Sequence, residues 1–165
     1  DRIELGKKMV GMFTLEQVPE DNNVVLVATG TGVAPYVSML RSNILGGGNR
    51  KIAVIHGAAN SWDLGYSSEL MLLENMSDRF TYLPTIIDVD KEHVKWHGDT
   101  RFVQEMWAGG VIEEAWGFKP GPENTHIFLC GNPKMVESMF ELLEKDKFKE
   151  HKRKDPGQIH VESWG

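Results

Sequence analysis

The hydrophobic positions of this chain form two alternating patterns, short continuous runs and longer segments of helical period. The short runs are too brief and too rich in β-branched residues for helices, so they predict buried strands. They are Val24–Ala28, Ile52–His56, Phe80–Ile87, His126–Cys130 and Ile159–Glu162.

The segments between the runs carry apolar residues three and four positions apart, which predicts helices with one buried stripe each. They are Pro35–Leu45, Ser67–Met76, Arg101–Trp107 and Pro133–Phe148. Strands that alternate with helices predict an α/β fold, here a doubly wound, five-stranded parallel sheet flanked by helices.

In such a fold the crossovers are right-handed, and the loops at the carboxyl ends of the strands line one ligand crevice. The loops on that edge begin at Thr29, Gly57, Asp88 and Gly131. The glycines of Gly46–Asn49 lie on the opposite edge, between a predicted helix and a strand, so we expect them to end the helix.

Composition narrows the classes of function. The chain has 165 residues, 41% of them hydrophobic, which is enough for one core. A net charge of -6 argues against a nucleic-acid or anionic-membrane binder. The most apolar stretch, Val24–Leu40, is interrupted by glycines and hydroxyl residues, so no membrane span is predicted. Cys130 is the only cysteine, so no intramolecular disulfide is possible and a reducing, cytoplasmic setting is expected. We predict no metal site.

A glycine-rich turn follows the first strand. Thr29, Gly30, Thr31, Gly32 and Val33 lead directly into a predicted helix, and Pro35 suits its first turn. Glycines allow close approach of the backbone, and free N–H groups at a helix start favour a phosphate. The third glycine of the dinucleotide fingerprint and the lysine of a P-loop are both missing, so a plain strand-to-helix turn remains the alternative.

Two further segments end at the same edge. Cys130, Gly131, Asn132, Pro133 and Met135 again form a strand end, a glycine turn and a helix start, and Cys130 is expected at the mouth of the crevice unless it is a small core residue. The last predicted strand ends in Glu162 and is followed by Trp164, an aromatic that either closes the core or covers a planar cofactor.

Together these segments resemble the NAD(P)-binding half of ferredoxin–NADP reductases, most closely the bacterial flavodoxin/ferredoxin reductase branch. The matching motifs are Thr29–Pro35, His56–Ala58, Asp63–Tyr66, Cys130–Met135 and His160–Trp164. Because Asp1–Leu5 is similar to the end of that family's FAD-binding β-barrel, we expect residues 1–18 to be the tail of such a barrel with a connector, and residues 19–165 to be the NAD(P)-binding domain of a longer protein.

The resemblance implies a FAD enzyme that passes electrons between NADP or NAD and a carrier, ferredoxin or flavodoxin. Cys130 would lie against the nicotinamide, and Glu162 would be the polar partner at the flavin edge. Trp164 would stack on the flavin ring or on the adenine of FAD. The choice between the two stays open, because many relatives end in Tyr or Tyr-Trp. The other expected cofactor-binding residues are Thr29, Gly30, Thr31, Gly32, Val33, Pro35, His56, Gly57, Asn60, Asp88, Arg101, Gly131, Asn132, Pro133 and Met135.

The dinucleotide preference is left open by the sequence. NADP-using relatives carry arginines just after the third strand and near the second helix, whereas Ile86–Asp90 and Ala58–Ser61 contain none. Asp88 would accept a hydrogen bond from a 2'-hydroxyl and repel a phosphate, which favours NADH. Lys91, Lys95 and Arg101 lie just beyond and are able to fold back onto a phosphate.

Two weaker signals have plainer interpretations. His93 and His97 are four residues apart, but Trp96 and Gly98 indicate a solvated loop and not a metal site. The basic run Lys145–Lys154 is typical of a solvated helix end, and we also consider that it steers an acidic carrier toward the flavin.

Two other functions compete with the main one. A reductase of the same build can feed an oxygenase or another electron-transfer complex, and a non-catalytic nucleotide-sensing module can keep the fold alone. On the main interpretation the 165-residue fragment binds a nucleotide, is colourless and does not turn over. The sequence does not predict its oligomeric state.

Overall fold

The computed structural model describes residues 13–42 and 48–163 of the chain. The described residues form five strands: β1 (Asn23–Thr29), β2 (Ile52–Ala58), β3 (Phe80–Ile86), β4 (Thr125–Gly131) and β5 (Ile159–Ser163). They also form five α-helices: α1 (Ala34–Arg41), α2 (Ser67–Met76), α3 (Val103–Ala108), α4 (Val111–Trp116) and α5 (Pro133–Lys145). Short 3-10 turns lie at 15–17, 30–33, 61–63 and 89–91.

The five strands pair in parallel in the order β3-β2-β1-β4-β5. Strand β1 lies in the centre, and the chain winds outward from it in both directions. This confirms the predicted doubly wound parallel sheet. The point where the winding reverses lies between β1 and β4, which is where ligands bind in folds of this class.

Alternate residues of the central strands feed two separate hydrophobic layers. Val25 and Val27 of β1 face α3, α4 and α5, where Met106, Ile112 and Met139 are buried. The residues between them point to the other face of the sheet, where they pack against Tyr36 of α1 and Leu70 of α2. Because both faces of the sheet are covered, its strands are almost continuously apolar, and for this reason the short runs stood out in the sequence.

Several helix boundaries differ from the sequence prediction. The first helix ends at Arg41, because Ser42 leaves the helical conformation and its hydroxyl donates to the Met39 carbonyl oxygen at 2.8 Å; predicted residues 43–45 lie outside the described residues. The last helix ends at Lys145 instead of Phe148, since Lys147 adopts a φ of 72°.

The third helix begins at Val103, two residues later than predicted, because Arg101 belongs to the preceding loop. Helix α4 is absent from the prediction. It follows α3 after Gly109 and Gly110, and the φ of 79° at Gly110 breaks the helical period that the sequence pattern follows.

The segment before β1 packs on the sheet. Leu15 and Val18 are buried in the layer with α1, and the ring of Phe13 lies 5.2 Å from that of Phe128 in an edge-on arrangement. No helix within residues 13–42 and 48–163 has the length and apolar character needed to cross a membrane.

Candidate functional site

A cavity of about 780 Å³ opens at the carboxyl ends of β1, β2, β3 and β4. Eight of the residues predicted to bind a cofactor line it: Thr29, Gly30, Thr31, Gly57, Asp88, Arg101, Asn132 and Met135. The parallel topology therefore brings together residues that are up to 106 positions apart in sequence, between Thr29 and Met135. The volume of this cavity lies within the range of about 300–1,000 Å³ that is usual for small-molecule sites.

The glycine-rich turn after β1 forms one wall of the cavity. Gly30 adopts a φ of 54°, and open space surrounds the position where a Cβ would stand. Gly32 faces inward, where a Cβ would lie 2.7 Å from the carbonyl carbon of Cys130. The two glycines thus serve different purposes, since Gly30 permits the turn and Gly32 permits its close packing on β4. Val33 is buried beside them, and Pro35 occupies the first turn of α1.

Hydrogen bonds tie this turn to the loop after β4. The Asn132 backbone N–H donates to the hydroxyl oxygen of Thr29 at 2.8 Å, and Gly131, with a φ of 140°, passes close to the Thr29 backbone. The Asn132 side chain caps α5 by accepting from the Lys134 N–H at 2.9 Å, and Pro133 occupies the first turn of that helix. The turn at 29–31 and the first residues of α5 are thereby held at one end of the cavity.

Two predicted cofactor ligands, His56 and Asn60, lie behind the wall of the cavity. His56 is fully buried, and its ring nitrogens contact the Gly30 carbonyl oxygen at 3.0 Å and the Tyr82 hydroxyl at 3.1 Å. Burial lowers the pKa of His56, so the ring is neutral at pH 7. The Asn60 side chain donates to the Asp88 carbonyl oxygen at 3.0 Å. Both side chains position loops of the cavity.

At the end formed by β2 and β3, the charged side chains are already paired. The Lys91 ammonium donates to the Asp88 carboxylate at 2.9 Å, and this hydrogen bond raises the pKa of Lys91. Arg101 donates from Nε and Nη2 to Asp99, and these hydrogen bonds lower the pKa of the Asp99 carboxyl. The Thr85 hydroxyl donates to the Arg101 carbonyl oxygen at 2.6 Å, which fixes Arg101 at the rim of the cavity.

Cys130 and Glu162 are paired residues on neighbouring parallel strands, so their side chains point to the same face of the sheet. That face carries α1, and Cys130 is fully buried beneath it. Glu162 borders a second concavity of about 750 Å³, together with Pro35. The glycine-rich turn therefore separates the first cavity from the one beside Glu162. Trp164 lies outside the described residues.

The sequence interpretation missed Lys134, Gln104, Phe102 and Ser138 as lining residues. Lys134 lies inside the recognised strand–glycine–helix motif, and its position one residue after Pro133 is a usable signal for an anion-facing side chain. The segment Phe102–Gln104 carries no such signal, because its place in the wall follows from the loop that connects β3 to α3.

The structure also describes the two weaker sequence signals. His93 stacks on Trp62 with ring centroids 5.5 Å apart, and no group of three or more metal-ligating side chains forms among residues 13–42 and 48–163. In the basic run, Lys149 pairs with Asp155 and Lys152 pairs with Glu150.

Comparison with known proteins agrees with this geometry. The family model described as "Oxidoreductase NAD-binding domain" matches residues 26–141. A flavodoxin/ferredoxin–NADP reductase of Buchnera aphidicola (subsp. Baizongia pistaciae) is 32% identical over 165 residues, which cover 99% of this chain and 65% of the relative. The flavodoxin/ferredoxin–NADP reductase of Escherichia coli K12 is 27% identical over 136 residues, covering 82% of this chain and 54% of the relative.

Among solved structures, a ferredoxin NADP+ reductase from Neisseria gonorrhoeae, crystallised with bound FAD and NADP, superposes with a TM-score of 0.76. It is 27% identical, and the superposition covers 93% of this chain and 61% of that one. The chain spans between 54% and 65% of the length of the two curated relatives described above.

Proposed function

Because this chain belongs to the family of oxidoreductase NAD-binding domains, we propose that it is the nucleotide-binding half of a FAD-dependent ferredoxin/flavodoxin–NAD(P) reductase. Residues 19–165 would be the NAD(P)-binding domain, and residues 1–18 would be the tail of a FAD-binding β-barrel with a connector. The relatives that carry flavodoxin/ferredoxin–NADP reductase names are longer than this chain, which agrees with a second domain that holds most of the FAD.

One observation carries the proposal most directly, the hydrogen bond between Thr29 and Asn132 that holds the glycine-rich turn and the start of α5 at one end of the cavity. The positive end of a helix dipole and a glycine-rich turn that allows close approach of the backbone favour a phosphate. A glycine-rich turn and a helix start at the reversal point of a parallel sheet suit a pyrophosphate. Lys134 adds one positive charge at the same end.

The two halves of a bound dinucleotide would extend in opposite directions from this pyrophosphate site. Toward β2 and β3, the small residues Gly57, Ala58 and Ala59 form a wall against which an adenosine can pack. Toward β4 and β5 lie Cys130 and Glu162, which are the residues proposed to face the nicotinamide.

FAD, when bound, would supply the two-electron to one-electron step, and the residues of this chain would prepare its partner. Cys130 is proposed to lie against the nicotinamide, although in this structure it is buried beneath α1 and lines neither cavity. Glu162 borders the concavity beside α1, where its carboxylate would hold a hydrogen bond or a proton at the flavin edge. Trp164 is proposed to stack on the flavin or on its adenine.

The electron carrier is proposed to be ferredoxin or flavodoxin, as the names of the relatives suggest. Acidic carriers would be steered by the basic run 145–154, within which Arg153 and Lys154 are exposed. A cytoplasmic location is proposed because the single cysteine suits a reducing compartment.

The experiment is a calorimetric titration of the chain with 5'-ADP and with 2',5'-ADP at modest ionic strength, since these nucleotides probe the adenosine half without flavin. We expect at least one of them to bind. The variant Lys134→Gln should weaken that binding several-fold, and the control Lys119→Gln, on an exposed loop away from the cavity, should leave it unchanged. Failure of both nucleotides to bind would contradict the proposal.

A further inference from the structure

The charges at the β2–β3 end of the cavity distinguish between two classes of dinucleotide. On the proposed function, the adenosine ribose lies at this end, because the nicotinamide must extend toward Cys130 and Glu162 on β4 and β5. Two carboxylates, Asp63 and Asp88, line this part of the cavity. A ribose bound here therefore meets negative charge.

Unpaired positive charge is scarce around the same ribose, because Lys91 already pairs with Asp88. Of the residues that the structure describes in the cavity wall, only Arg101 and Lys134 are cationic, and Lys134 lies at the pyrophosphate end on α5. Arg101 donates three hydrogen bonds to the Asp99 carboxylate, two from Nε at 3.0 and 3.1 Å and one from Nη2 at 2.5 Å. A 2'-phosphate would have to displace this carboxylate before it could use the guanidinium fully.

Asp88 is held in place to receive a hydroxyl group. Its backbone N–H donates to the Ala59 carbonyl oxygen at 2.8 Å, and its own carbonyl oxygen accepts from Asn60 at 3.0 Å. Within the described part of the chain, the ion pair with Lys91 occupies Oδ2, so Oδ1 remains able to accept a hydrogen bond from a ribose.

We propose that this cavity selects a nicotinamide dinucleotide with a free ribose 2'-hydroxyl, NADH, over its 2'-phosphorylated counterpart, and that Asp88 is the residue that determines this specificity. The inference rests on the proposed nucleotide-binding function. A 2'-hydroxyl would donate to the Asp88 carboxylate, a charge-assisted hydrogen bond, whereas a 2'-phosphate would place like charges in contact.

The test measures a ratio of affinities, so that a general loss of binding does not imitate a change in preference. Calorimetric titration of the wild-type chain with 5'-ADP and 2',5'-ADP should give at least tenfold tighter binding of 5'-ADP. The variant Asp88→Asn keeps the shape of the side chain and removes its charge, and we expect it to reduce the ratio at least fivefold. The control Asp90→Asn removes a carboxylate two residues away that does not line the cavity, and the ratio should stay unchanged.

A second variant tests the role of the arginine pair independently. Asp99→Asn weakens the hydrogen bonds that occupy Arg101, so 2',5'-ADP should bind several-fold more tightly while 5'-ADP changes little. Equal or tighter binding of 2',5'-ADP by the wild-type chain would overturn the NADH preference and leave nucleotide binding intact. Binding of neither nucleotide would overturn the proposed function as well, so the two failures are distinguishable.

Discussion

His56 donates a hydrogen bond from Nε2 to the carbonyl oxygen of Gly30, 3.0 Å away. The direction follows from chemistry, because a carbonyl oxygen only accepts. The neutral ring therefore carries its proton on Nε2, and Nδ1 accepts from the Tyr82 hydroxyl at 3.1 Å. Tyr82 of β3 thus orients the His56 ring of β2. That ring in turn holds the glycine-rich turn that is proposed to bind the pyrophosphate.

This relationship predicts that His56 acts on nucleotide binding without touching the nucleotide. The variant His56→Leu removes the donor to Gly30, and we expect 5'-ADP to bind about three- to tenfold more weakly, in line with about 1 kcal/mol for one neutral hydrogen bond. His56→Gln retains an N–H donor and should restore most of the affinity. Calorimetry checks the affinity, and near-ultraviolet circular dichroism checks the fold; equal loss in both variants would rule out the positioning role.

The glycine-rich turn predicts a graded series of stability losses. In Gly32→Ala the new Cβ would lie 2.7 Å from the Cys130 carbonyl carbon and 2.9 Å from the Gly131 Cα, so backbone must move. We expect a loss of about 3 kcal/mol in the free energy of unfolding, the upper range for overpacking. Gly30→Ala meets open space but keeps a φ of 54°, which costs about 1–2 kcal/mol.

The matched control for this series is Gly65→Ala, whose added Cβ meets open space and whose φ is not in the left-handed region. Its free energy of unfolding should stay within about 0.5 kcal/mol of the wild type. Urea unfolding with an unchanged m-value measures all three variants. A Gly32→Ala protein as stable as Gly65→Ala would contradict the close packing of the turn on β4.

Sequence reasoning located the strands of this fold well, and the reason is physical. A parallel sheet covered on both faces needs nearly continuous apolar runs, so Val24–Ala28 and Ile52–His56 stand out against their surroundings. The edge strand β3 carries Pro84, which a central strand would not tolerate because the proline has no N–H for the ladder.

The candidate site was predictable only in part. Residues at strand ends, such as Thr29 and Asp88, follow from topology, since parallel strands end at one edge. The inward turn of His56 and the pairing of Arg101 with Asp99 depend on which loop packs on which, and a periodic pattern contains no such information. Helix α4 was missed for a related reason, because Gly109 and Gly110 interrupt the period.

The basic run predicts an effect on the electron carrier alone. In the complete enzyme, the double variant Arg153→Glu and Lys154→Glu should lower kcat/KM for an acidic carrier about tenfold at low salt, because steered association depends on charge. The same variant should reduce a small neutral quinone at the wild-type rate. An unchanged salt dependence of carrier reduction would exclude this surface from docking.

The pairing of Cys130 with Glu162 predicts separate effects on chemistry and binding. In the complete enzyme, Glu162→Gln should slow flavin reduction by NAD(P)H about 100-fold, the lower end of the range for loss of a group that acts in proton transfer. Nucleotide affinity should change less than threefold. Stopped-flow absorbance and calorimetry measure the two quantities, Glu20→Gln on the same concavity is the control, and equal losses in both would contradict the role at the reacting edge.

Two buried histidines predict how stability depends on pH. His126 and His160 stack with ring centroids 5.3 Å apart, and Nδ1 of the first lies 2.9 Å from Nε2 of the second. A single proton between these two nitrogens makes a hydrogen bond. If both rings were protonated, each nitrogen would carry a proton and two donors would face each other. Burial lowers the pKa of His126 to about 4 and that of His160 to about 3.

Because both pKa values in the folded state lie below the unfolded value near 6.5, the unfolded state binds more protons below that pH. The free energy of unfolding should therefore fall as the pH decreases from about 6.5 toward 4, by about 2–4 kcal/mol from this pair. The variant His126→Gln/His160→Gln should reduce this fall, whereas His97→Gln, at an exposed position, should not. Urea unfolding at several pH values measures the effect, and NMR signals assigned to the His126 and His160 rings that titrate near pH 6.5 in the folded wild type would contradict it.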